Sequence, residues 1–382
     1  MVMVYSMEVK VNRNCLLVVY GPAKLYVKEG MLLATGYFIG EGDDVLVRSE
    51  RGAAFYAVEA TRLELVGGAR TSTSIYCDES LTSYINEWMK VTKQVKSTSP
   101  RRILVLGGID TGKTTLATWL YNMLEKPILE ADIGQNELGT PCAMSLAEYR
   151  GKPTLSMQDK SPCRVWFIGH VSAERVLHKI IHTVHLVSKE YNDLIIDTDG
   201  YVKGKGLMYK LAIAEAIEAD TIIVLGDIPS RMFRHITDNI YLLPVPKTIK
   251  KRSVYERRLY RERQYYNLFS SGKVVTFRIS ETSIVNVDIE ALKHVKGYKQ
   301  RIAGVIAALR RRGQNGYDTL CIIDSIDVDK DRLTLKCSRM FEENLSARTP
   351  IIEFGYVKLD KSYREVEKYD AGIYPDIIVR RG

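Results

Sequence analysis

The sequence predicts an α/β protein in which a central domain with a parallel sheet is flanked by a small β-rich domain at each end. Between residues 102 and 271, apolar strands alternate with helical stretches, a pattern typical of a parallel sheet covered by helices on both faces. Short runs of β-forming residues, separated by turn residues, occupy the chain before and after this region. The predicted boundaries are 1–75 for an N-terminal β domain, 76–101 for a helix and linker, 102–271 for the central domain and 272–382 for the C-terminal domain.

The N-terminal region contains β-forming runs separated by turns such as Gly21-Pro22. Strands are predicted over residues 15–20, 31–35, 44–48, 54–58 and 62–66. After Asp78, apolar residues recur at helical spacing from Leu81 to Met89, and this stripe favours core packing over a binding surface. Residues 96–101 read as a linker.

Five apolar runs define the strands of the central domain, and three more indicate β structure near the C-terminus. The central strands are predicted over residues 103–106, 128–131, 165–168, 194–196 and 222–225, and the C-terminal ones over 274–278, 319–323 and 332–336. In parallel sheets ligands bind beyond the carboxyl ends of the strands. Residues that follow the central strands are therefore the candidates for a site.

Composition narrows the class of protein only partly. The 382 residues include 55 Lys and Arg against 46 Asp and Glu, and the resulting net charge of +9 permits a nucleic-acid partner without requiring one. The six cysteines form no C-x-x-C pair, so we expect reduced, buried thiols and neither a zinc site nor a disulfide framework. No leader-like segment or membrane-length apolar run is present, which predicts a soluble cytoplasmic protein without a membrane partner.

The most specific motif lies directly after the first central strand. Residues 107–114 read GGIDTGKT and match the phosphate-binding pattern G-x-x-x-x-G-K-S/T, with an apolar strand before and a helix after. Lys113 is expected to bridge the β- and γ-phosphates, and the Thr114 hydroxyl to bind magnesium. The predicted ATP-binding residues of this P-loop are Gly107, Gly108, Ile109, Asp110, Thr111, Gly112, Lys113, Thr114 and Thr115.

Two carboxylates at strand ends compete for the role next to magnesium. Asp132 follows the second central strand, where it could hold the metal, accept a proton from an attacking hydroxyl or merely cap a helix. Asp197 ends a later apolar strand, which is where P-loop enzymes carry their magnesium carboxylate. Position in the sequence does not separate the two.

A glycine-rich loop and an arginine-rich helix complete the candidate site. Tyr201 lies in the loop with Lys203 and Lys205, so a base could stack while phosphates meet positive charge, although Tyr201 could also be packed and the lysines solvated. Residues 250–266 carry many arginines at helical spacing. Most such runs are solvated faces, but beside a P-loop they favour a lid that stabilises the transferred phosphoryl group.

Together, residues 107–114, 130–135, 198–204 and 252–263 resemble the polynucleotide 5′-hydroxyl kinases of the cleavage-factor and ribosomal-RNA-processing type, a family that includes archaeal RNA kinases. The resemblance implies transfer of the γ-phosphate of ATP, with Mg²⁺, to the 5′-hydroxyl of RNA or single-stranded DNA. It also implies RNA-processing partners, such as factors of tRNA splicing or rRNA maturation. The alternatives are a scaffold subunit that holds ATP without turning it over and a regulatory GTPase; the sequence has no N-K-x-D motif for the latter.

The resemblance also implies a role for each matching residue. Asp132 corresponds to the carboxylate that orients magnesium and activates the 5′-hydroxyl, with Gln135 beside it in the same motif. Tyr201 stands where the family commonly has a tryptophan that stacks on the terminal base. The implied catalytic residues are Lys113, Asp132, Arg257 and Arg261, and Arg258 is expected to contact ATP.

Two positions depart from the family pattern. A Thr-Pro-Gly clasp is replaced by residues 167–174, FIGHVSAE, in which His170 and Ser172 are the candidates for contacts with the substrate phosphate. Asp197 replaces an uncharged residue and adds a second carboxylate on the metal side. The predicted substrate-binding residues are therefore Gln135, His170, Ser172, Tyr201, Lys203 and Lys205, and the predicted metal ligands are Thr114, Asp132 and Asp197.

Overall fold

A computed structural model describes residues 4–48, 52–247, 251–311, 313, 316–317, 319–338, 350–374 and 376–379. Lys250, where the predicted arginine segment begins, lies outside these residues. Among the described residues, no helix combines the length and the apolar character that crossing a membrane requires.

The N-terminal region is all β, as predicted, and its strands form two antiparallel sheets around a shared apolar core. The strands are β1 Val4–Val11, β2 Leu16–Tyr20, β3 Ala23–Glu29, β4 Leu32–Ala34, β5 Tyr37–Ile39, β6 Asp44–Val47, β7 Gly52–Ala57, β8 Thr61–Gly68 and β9 Ser72–Tyr76. One sheet has the order β1-β8-β3-β6 and the other β5-β4-β7-β2-β9. Alternating buried and exposed residues in β3 and β8 show why one face of these strands forms the core.

Helix α1, Glu79–Thr98, connects the N-terminal sheets to the central domain. Asp78 caps it by accepting a hydrogen bond from the Ser80 backbone N–H. Trp88, in the predicted apolar stripe, is buried and packs edge-on against Trp119 of the next helix. The helix extends to Thr98, so the predicted linker over 96–101 is too long, because its first three residues form the last helical turn.

The central domain contains the predicted parallel strands and helices on both faces. Its strands are β10 Arg102–Gly107, β11 Ile128–Glu130, β12 Ala143–Ala147, β13 Arg164–Phe167, β14 Leu194–Asp197, β15 Thr221–Leu225 and β16 Ile240–Leu243. Its helices are α2 Lys113–Leu124, α3 Leu177–Glu190, α4 Lys205–Ala216 and α5 Val254–Phe269. Ile103 and Val105 of β10 face α1 and α2, whereas Leu104 and Leu106 face α3 and α4.

The order of the central sheet is β13-β12-β11-β14-β10-β15-β16. Neighbouring strands pair in parallel along β11, β14, β10, β15 and β16. β12 pairs antiparallel with β11, and β13 pairs antiparallel with β12. The strand over 165–168 therefore runs in the same direction as the other predicted strands, but it is joined to them through an antiparallel neighbour. The chain reaches it through the hairpin-like neighbour β12, which the sequence did not predict, rather than through a helical crossover.

The C-terminal region is β-rich, as predicted, with short helices added. It contains β17 Lys273–Arg278, β18 Ser283–Val285, β19 Val305–Arg311, β20 Thr319–Asp327, β21 Arg332–Cys337, β22 Pro350–Leu359 and β23 Glu365–Lys368, with α6 Ile289–Lys293, α7 Tyr298–Ile302 and α8 Asp376–Val379. The sheet order is β17-β21-β20-β19-β22-β18, and β23 pairs with β22. This sheet shares a continuous apolar core with α3 and α4 of the central domain.

Two disulfide bonds contradict the expectation of reduced thiols. Cys15 is bonded to Cys77, and Cys321 to Cys337. Cys321 and Cys337 face each other directly across β20 and β21, while Cys15 and Cys77 flank the paired residues Leu16 and Tyr76. Strand pairing creates both contacts, and sequence spacing alone does not reveal it. Cys142 is a buried free thiol, and Cys163 is an exposed one.

Candidate active site

The predicted P-loop connects β10 to α2 with glycines where backbone geometry requires them. Gly112 has a φ of 91°, in the left-handed region that favours glycine. A Cβ on Gly107 would lie 2.5 Å from the Thr111 hydroxyl oxygen, so a larger residue would distort the loop. The α2 N-terminus faces the same loop, and its free backbone N–H groups favour an anion.

The two functional side chains of the loop have protein partners in this structure. The Lys113 ammonium donates to the Gly108 carbonyl at 2.6 Å. The Thr114 hydroxyl donates to Asp197 Oδ2 at 2.7 Å. The structure therefore places Asp197, at the end of β14, directly beside the metal-binding threonine that the sequence predicts.

Burial raises the pKa of Asp197 to about 7, while Lys113 and the hydrogen bond from Thr114 oppose that rise. Neighbouring Asp132 and Glu137 raise the pKa further through charge repulsion. Asp197 Oδ1 is buried without a hydrogen-bond partner among the described residues. Such a group gains most from a cation, because positive charge stabilises its ionised form.

Asp132 is oriented by the turn that follows β11. Its Oδ1 accepts backbone N–H groups from Gly134 and Gln135, both at 3.0 Å. Burial raises the pKa of Asp132, as does the charge of Asp199, and Lys113 lowers it. With Oδ1 held by the backbone, Oδ2 is available to a hydroxyl in the cavity that Asp132 lines.

Two arginines reach the P-loop, one from helix α5 and one from just before its cap, and only the first has a role predicted from the sequence. Arg257 Nη1 donates to Asp110 Oδ2 at 3.0 Å. Arg252, immediately before the Ser253 cap, donates its backbone N–H to the same oxygen at 3.0 Å, and its Nε lies 3.5 Å from Asp110 Oδ1. The signal that could have identified Arg252 is its place before an N-cap serine, five positions ahead of Arg257.

The other two predicted arginines pair with groups outside the P-loop, although Arg261 also lines the cavity. Arg258 pairs with Glu262 at 2.7 Å and donates to the Glu365 carbonyl at 2.6 Å. Arg261 forms a bidentate pair with the Glu365 carboxylate at 2.5 and 2.8 Å. In this structure neither guanidinium contacts the P-loop.

The predicted substrate residues divide into two groups. Gln135, Ser172, Tyr201 and Lys203 line one cavity together with the P-loop. Lys205 is exposed at the start of α4, outside that lining. His170 is fully buried and does not line the cavity; its Nδ1 accepts the Ser172 backbone N–H at 2.8 Å, and burial lowers its pKa to about 4.

A buried ionic cluster, which the sequence did not reveal, supports the loop of Tyr201. Asp199 Oδ1 accepts the Tyr201 backbone N–H at 2.8 Å. Its Oδ2 lies 2.9 Å from the ammonium of Lys210, a fully buried side chain, and accepts the Tyr209 hydroxyl at 3.1 Å. Gly200 allows this loop to approach Ile109, since a Cβ there would lie 2.8 Å from the Ile109 backbone nitrogen. The loop of Tyr201 is thus held next to the tip of the P-loop, and the Tyr201 side chain is partly buried against the central core.

The cavity measures about 1340 Å³ and extends well beyond the phosphate loop. Residues 108–115 of the P-loop form part of its lining, and Gly107 lies just outside it. The N-terminal sheets and α1 contribute a further wall that includes Val18, Leu33 and Trp88. An apolar wall joined to a charged phosphate loop is the arrangement that a nucleotide requires.

The residues at Thr114 fit a magnesium ion. Mg²⁺ prefers oxygen ligands and is usually held by one or two protein groups, with phosphate oxygens and waters completing the shell. The Thr114 hydroxyl and the unpartnered Oδ1 of Asp197 supply such groups. Asp132 adds negative charge nearby, since it raises the pKa of Asp197, and Asp199 in turn raises the pKa of Asp132.

The strand, glycine loop and helix on a parallel sheet define a P-loop nucleotide-binding protein. Residues 107–271, less than half of the chain, match the family model described as the mRNA cleavage and polyadenylation factor CLP1 P-loop, and this central region is similar to that family.

Relatives of this chain include named kinases. The polyribonucleotide 5′-hydroxyl-kinase of Pyrococcus furiosus is 29% identical over 210 residues, covering 52% of this chain and 59% of the relative. The one from Pyrococcus horikoshii is 26% identical over 201 residues, covering 50% and 55%. The chain thus spans little more than half the length of these relatives. A polynucleotide 5′-hydroxyl-kinase of Candida albicans is 30% identical over 166 residues, 38% of this chain and 24% of the relative.

A solved structure matches the fold over nearly the whole chain. The wild-type Clp1p–Pcf11p complex aligns with a TM-score of 0.67, 13% sequence identity and coverage of 91% of this chain and 97% of the other. At this identity the match supports the fold alone, including the β-rich regions that flank the P-loop domain.

Proposed function

We propose that this protein is a polynucleotide 5′-hydroxyl kinase that transfers the γ-phosphoryl group of ATP to the 5′-hydroxyl of RNA or single-stranded DNA. The observation that carries the proposal is the placement of Asp132 on the cavity of the P-loop, with Arg252 and Arg257 held at the loop's tip. A carboxylate for the acceptor and arginines for the phosphates are what phosphoryl transfer requires. The names of the archaeal and yeast relatives support the same reaction.

The side chains divide the reaction between them. Asp132 Oδ2 orients the 5′-hydroxyl and takes its proton as the oxygen bonds to the γ-phosphorus, while the bond from phosphorus to the β–γ bridging oxygen breaks. Lys113 leaves the Gly108 carbonyl to contact the β- and γ-phosphates. Arg257, with Arg252, stabilises the charge on the transferred group.

Thr114 and Asp197 would hold Mg²⁺, which when bound neutralises phosphate charge. The structure favours Asp197 for this role because its carboxylate already contacts the Thr114 hydroxyl. Asp132 is then free to act on the acceptor. The proposal therefore assigns Asp197 to Mg²⁺ and Asp132 to the acceptor hydroxyl.

The acceptor is proposed to enter beside Tyr201. Tyr201 lines the same cavity as the P-loop, where a terminal base can stack on it, and Lys203 in the loop and Lys205 at the start of α4 are exposed for backbone phosphates. The relatives named for polyribonucleotide favour RNA. RNA-processing factors are the proposed partners, in line with the family description and the Pcf11p-bound structure.

We propose that the protein is located in the cytoplasm. Disulfide bonds are typical of oxidising compartments, but intracellular proteins of hyperthermophilic archaea are a known exception. Several relatives come from Pyrococcus, and the two disulfides are compatible with such an origin.

A scaffold that holds ATP without turnover is the second candidate. It is favoured by the replaced clasp, since His170 is buried away from the cavity and does not offer a substrate contact. It is also consistent with structural neighbours solved as partner complexes.

The deciding experiment is to incubate the protein with γ-labelled ATP, Mg²⁺ and 5′-hydroxyl RNA or DNA oligonucleotides. We expect a labelled 5′-phosphate, and we expect Lys113→Ala and Asp132→Ala to reduce kcat by about a hundredfold or more. Asp159→Asn, which removes a carboxylate from the same cavity away from the P-loop, is the control. Stoichiometric ATP binding without any labelled oligonucleotide would establish the scaffold instead.

A further inference from the structure

Strand β23 of the C-terminal region contacts α5, here called the lid helix, through Glu365. Every polar group of Glu365 takes part in this contact. The Glu365 carboxylate accepts both hydrogen bonds from Arg261, at 2.5 and 2.8 Å. The Glu365 carbonyl accepts a hydrogen bond from Arg258 Nη2 at 2.6 Å, and its backbone N–H donates to Glu262 Oε1 at 3.0 Å. Lys368 lies 3.0 Å from the same carboxylate. One strand residue thus engages a full turn of the helix.

The central pair of this contact is almost without access to water. Arg261 is 8% exposed and Glu365 is 4% exposed. Arg261 holds the pKa of Glu365 below its usual range, although burial alone would raise it. A bidentate arginine–carboxylate pair fixes both distance and angle, because two parallel hydrogen bonds must be satisfied together. Such a pair specifies the rotation of α5 about its own axis.

The two ends of α5 belong to different parts of the molecule. Tyr265 and Phe269 are buried in a core with Ile306 and Val357 of the C-terminal sheet. At the other end, Arg257 reaches the P-loop through Asp110. The helix therefore spans from the C-terminal sheet to the phosphate site.

Arg257 and Arg261 are one helical turn apart and lie on the same face. The rise of about 1.5 Å per residue places them only about 6 Å apart along the axis. Because the helix is rigid over one turn, the angle fixed at Arg261 also sets where the Arg257 guanidinium points.

We propose that Glu365 is a positioning residue for phosphoryl transfer, acting through Arg261 to aim Arg257 at the phosphate loop. The C-terminal region is then a structural part of the lid. Arg261 contacts the anchor and not the nucleotide, in contrast to the role that the family resemblance implies. The expected effect on kcat rests on the proposed kinase function, whereas the anchoring of α5 by Glu365 does not.

The structural test is hydrogen exchange of the nucleotide-free protein. We expect Glu365→Gln to accelerate exchange of the amides at the start of α5 by about tenfold or more, while the amides of β10 keep their protection. The control is Glu367→Gln, the same change two residues along β23, where the carboxylate contacts the Tyr369 hydroxyl and not the lid. Unchanged exchange in α5 of the Glu365 variant would overturn the anchor, whether or not the protein is a kinase.

The kinetic test is a double-mutant cycle of Arg261→Gln, Glu365→Gln and the combined variant. If the pair is an anchor, each single variant loses kcat by about a hundredfold with the KM for ATP nearly unchanged, and the combined variant is no worse than either. If Arg261 instead moves to the nucleotide, Arg261→Gln loses far more activity than Glu365→Gln, and the proposal is wrong. A Gln at either position can still form a hydrogen bond with its partner, and the combined variant leaves neither charge of the pair buried alone.

Discussion

Asp110 stands at the tip of the P-loop with a φ of 53°, a backbone conformation that Asp and Asn tolerate well. Its carboxylate holds Arg252 and Arg257, so bound ATP has to compete with it for Arg257. We expect Asp110→Asn to tighten ATP binding by about tenfold, because one charge-assisted hydrogen bond no longer has to be broken. Isothermal titration with ATP measures the change.

The matched control for Asp110→Asn is Asp159→Asn. Asp159 lines the same cavity but pairs with Arg48 of the N-terminal region, so its loss changes the net charge equally without freeing a lid arginine. Weaker ATP binding by the Asp110 variant would show that the carboxylate supports the bound state instead of competing with it.

His170 provides a prediction for pH dependence. Burial lowers its pKa from 6.5 to about 4 in the folded protein, so between these values the unfolded chain binds the proton more readily. Stability is therefore complete above pH 6.5 and falls as the pH drops towards 4, by about 3 kcal/mol for this group. Urea unfolding at several pH values measures this loss.

The variant that isolates this effect is His170→Asn, whose side-chain oxygen can still accept the Ser172 backbone N–H. We expect its unfolding free energy to depend less on pH between 4 and 6.5 than that of the original protein. His178→Asn, on the exposed side of α3, should leave the pH dependence as it is. If the unfolding free energy changed equally with pH in all three proteins, His170 would not be the group responsible.

Site residues are predictable where function depends on neighbours in the sequence. Residues 107–114 could be assigned from eight consecutive positions, because the loop carries its own geometry. The Asp110–Arg257 contact joins residues 147 positions apart, and sequence spacing did not reveal it. The Arg261–Glu365 pair was missed for the same physical reason, since folding alone brings α5 to β23.

At the scale of elements, the disulfide between Cys15 and Cys77 joins the strand β2 to the end of β9. It closes a loop of 62 residues. In the chain-entropy model, such a loop contributes about 4 kcal/mol to the free energy of unfolding. We expect Cys15→Ser with Cys77→Ser to lower stability by up to this amount, measured by urea unfolding without reductant.

Cys163→Ser, which removes an exposed free thiol, is the control and should leave stability unchanged. Adding reductant to the original protein should lower stability at least as far, since it opens this loop and also the one closed by Cys321 and Cys337. The stabilising role of the bond would be refuted if the free energy of unfolding were the same with reductant, without reductant and in the serine double variant.

Strands and helices could be predicted from the sequence where their pattern lies in consecutive residues. Residues 103–106 of β10 are all apolar because both faces of the strand are covered, and the strand extends only one residue beyond this predicted run at each end. The antiparallel strand β12 was missed, so the sequence did not show that β13 joins the sheet through an antiparallel neighbour. The pairing of the cysteines was missed because it depends on strand register.

At the scale of the whole molecule, residues of the N-terminal and central regions line one cavity. The N-terminal sheets and α1 form its apolar wall, the central sheet supplies the P-loop and carboxylates, and the C-terminal sheet anchors the lid helix. The sequence predicted the three regions but left the roles of the outer two open. Their roles follow from side-chain contacts across regions, which become visible only in the folded chain.

The net charge of +9 and the exposed lysines beside Tyr201 predict a salt-dependent acceptor site. Each phosphate contact to a single strand contributes about −0.7 to the slope of log affinity against log salt. We therefore expect Lys203→Ala with Lys205→Ala to weaken binding of a 5′-hydroxyl RNA and to reduce the slope by about 1.4, measured by fluorescence anisotropy. Lys293→Ala with Lys299→Ala removes the same charge from the C-terminal region and should leave the slope unchanged. Equal slopes for the two double variants would mean that net charge, and not this loop, attracts the strand.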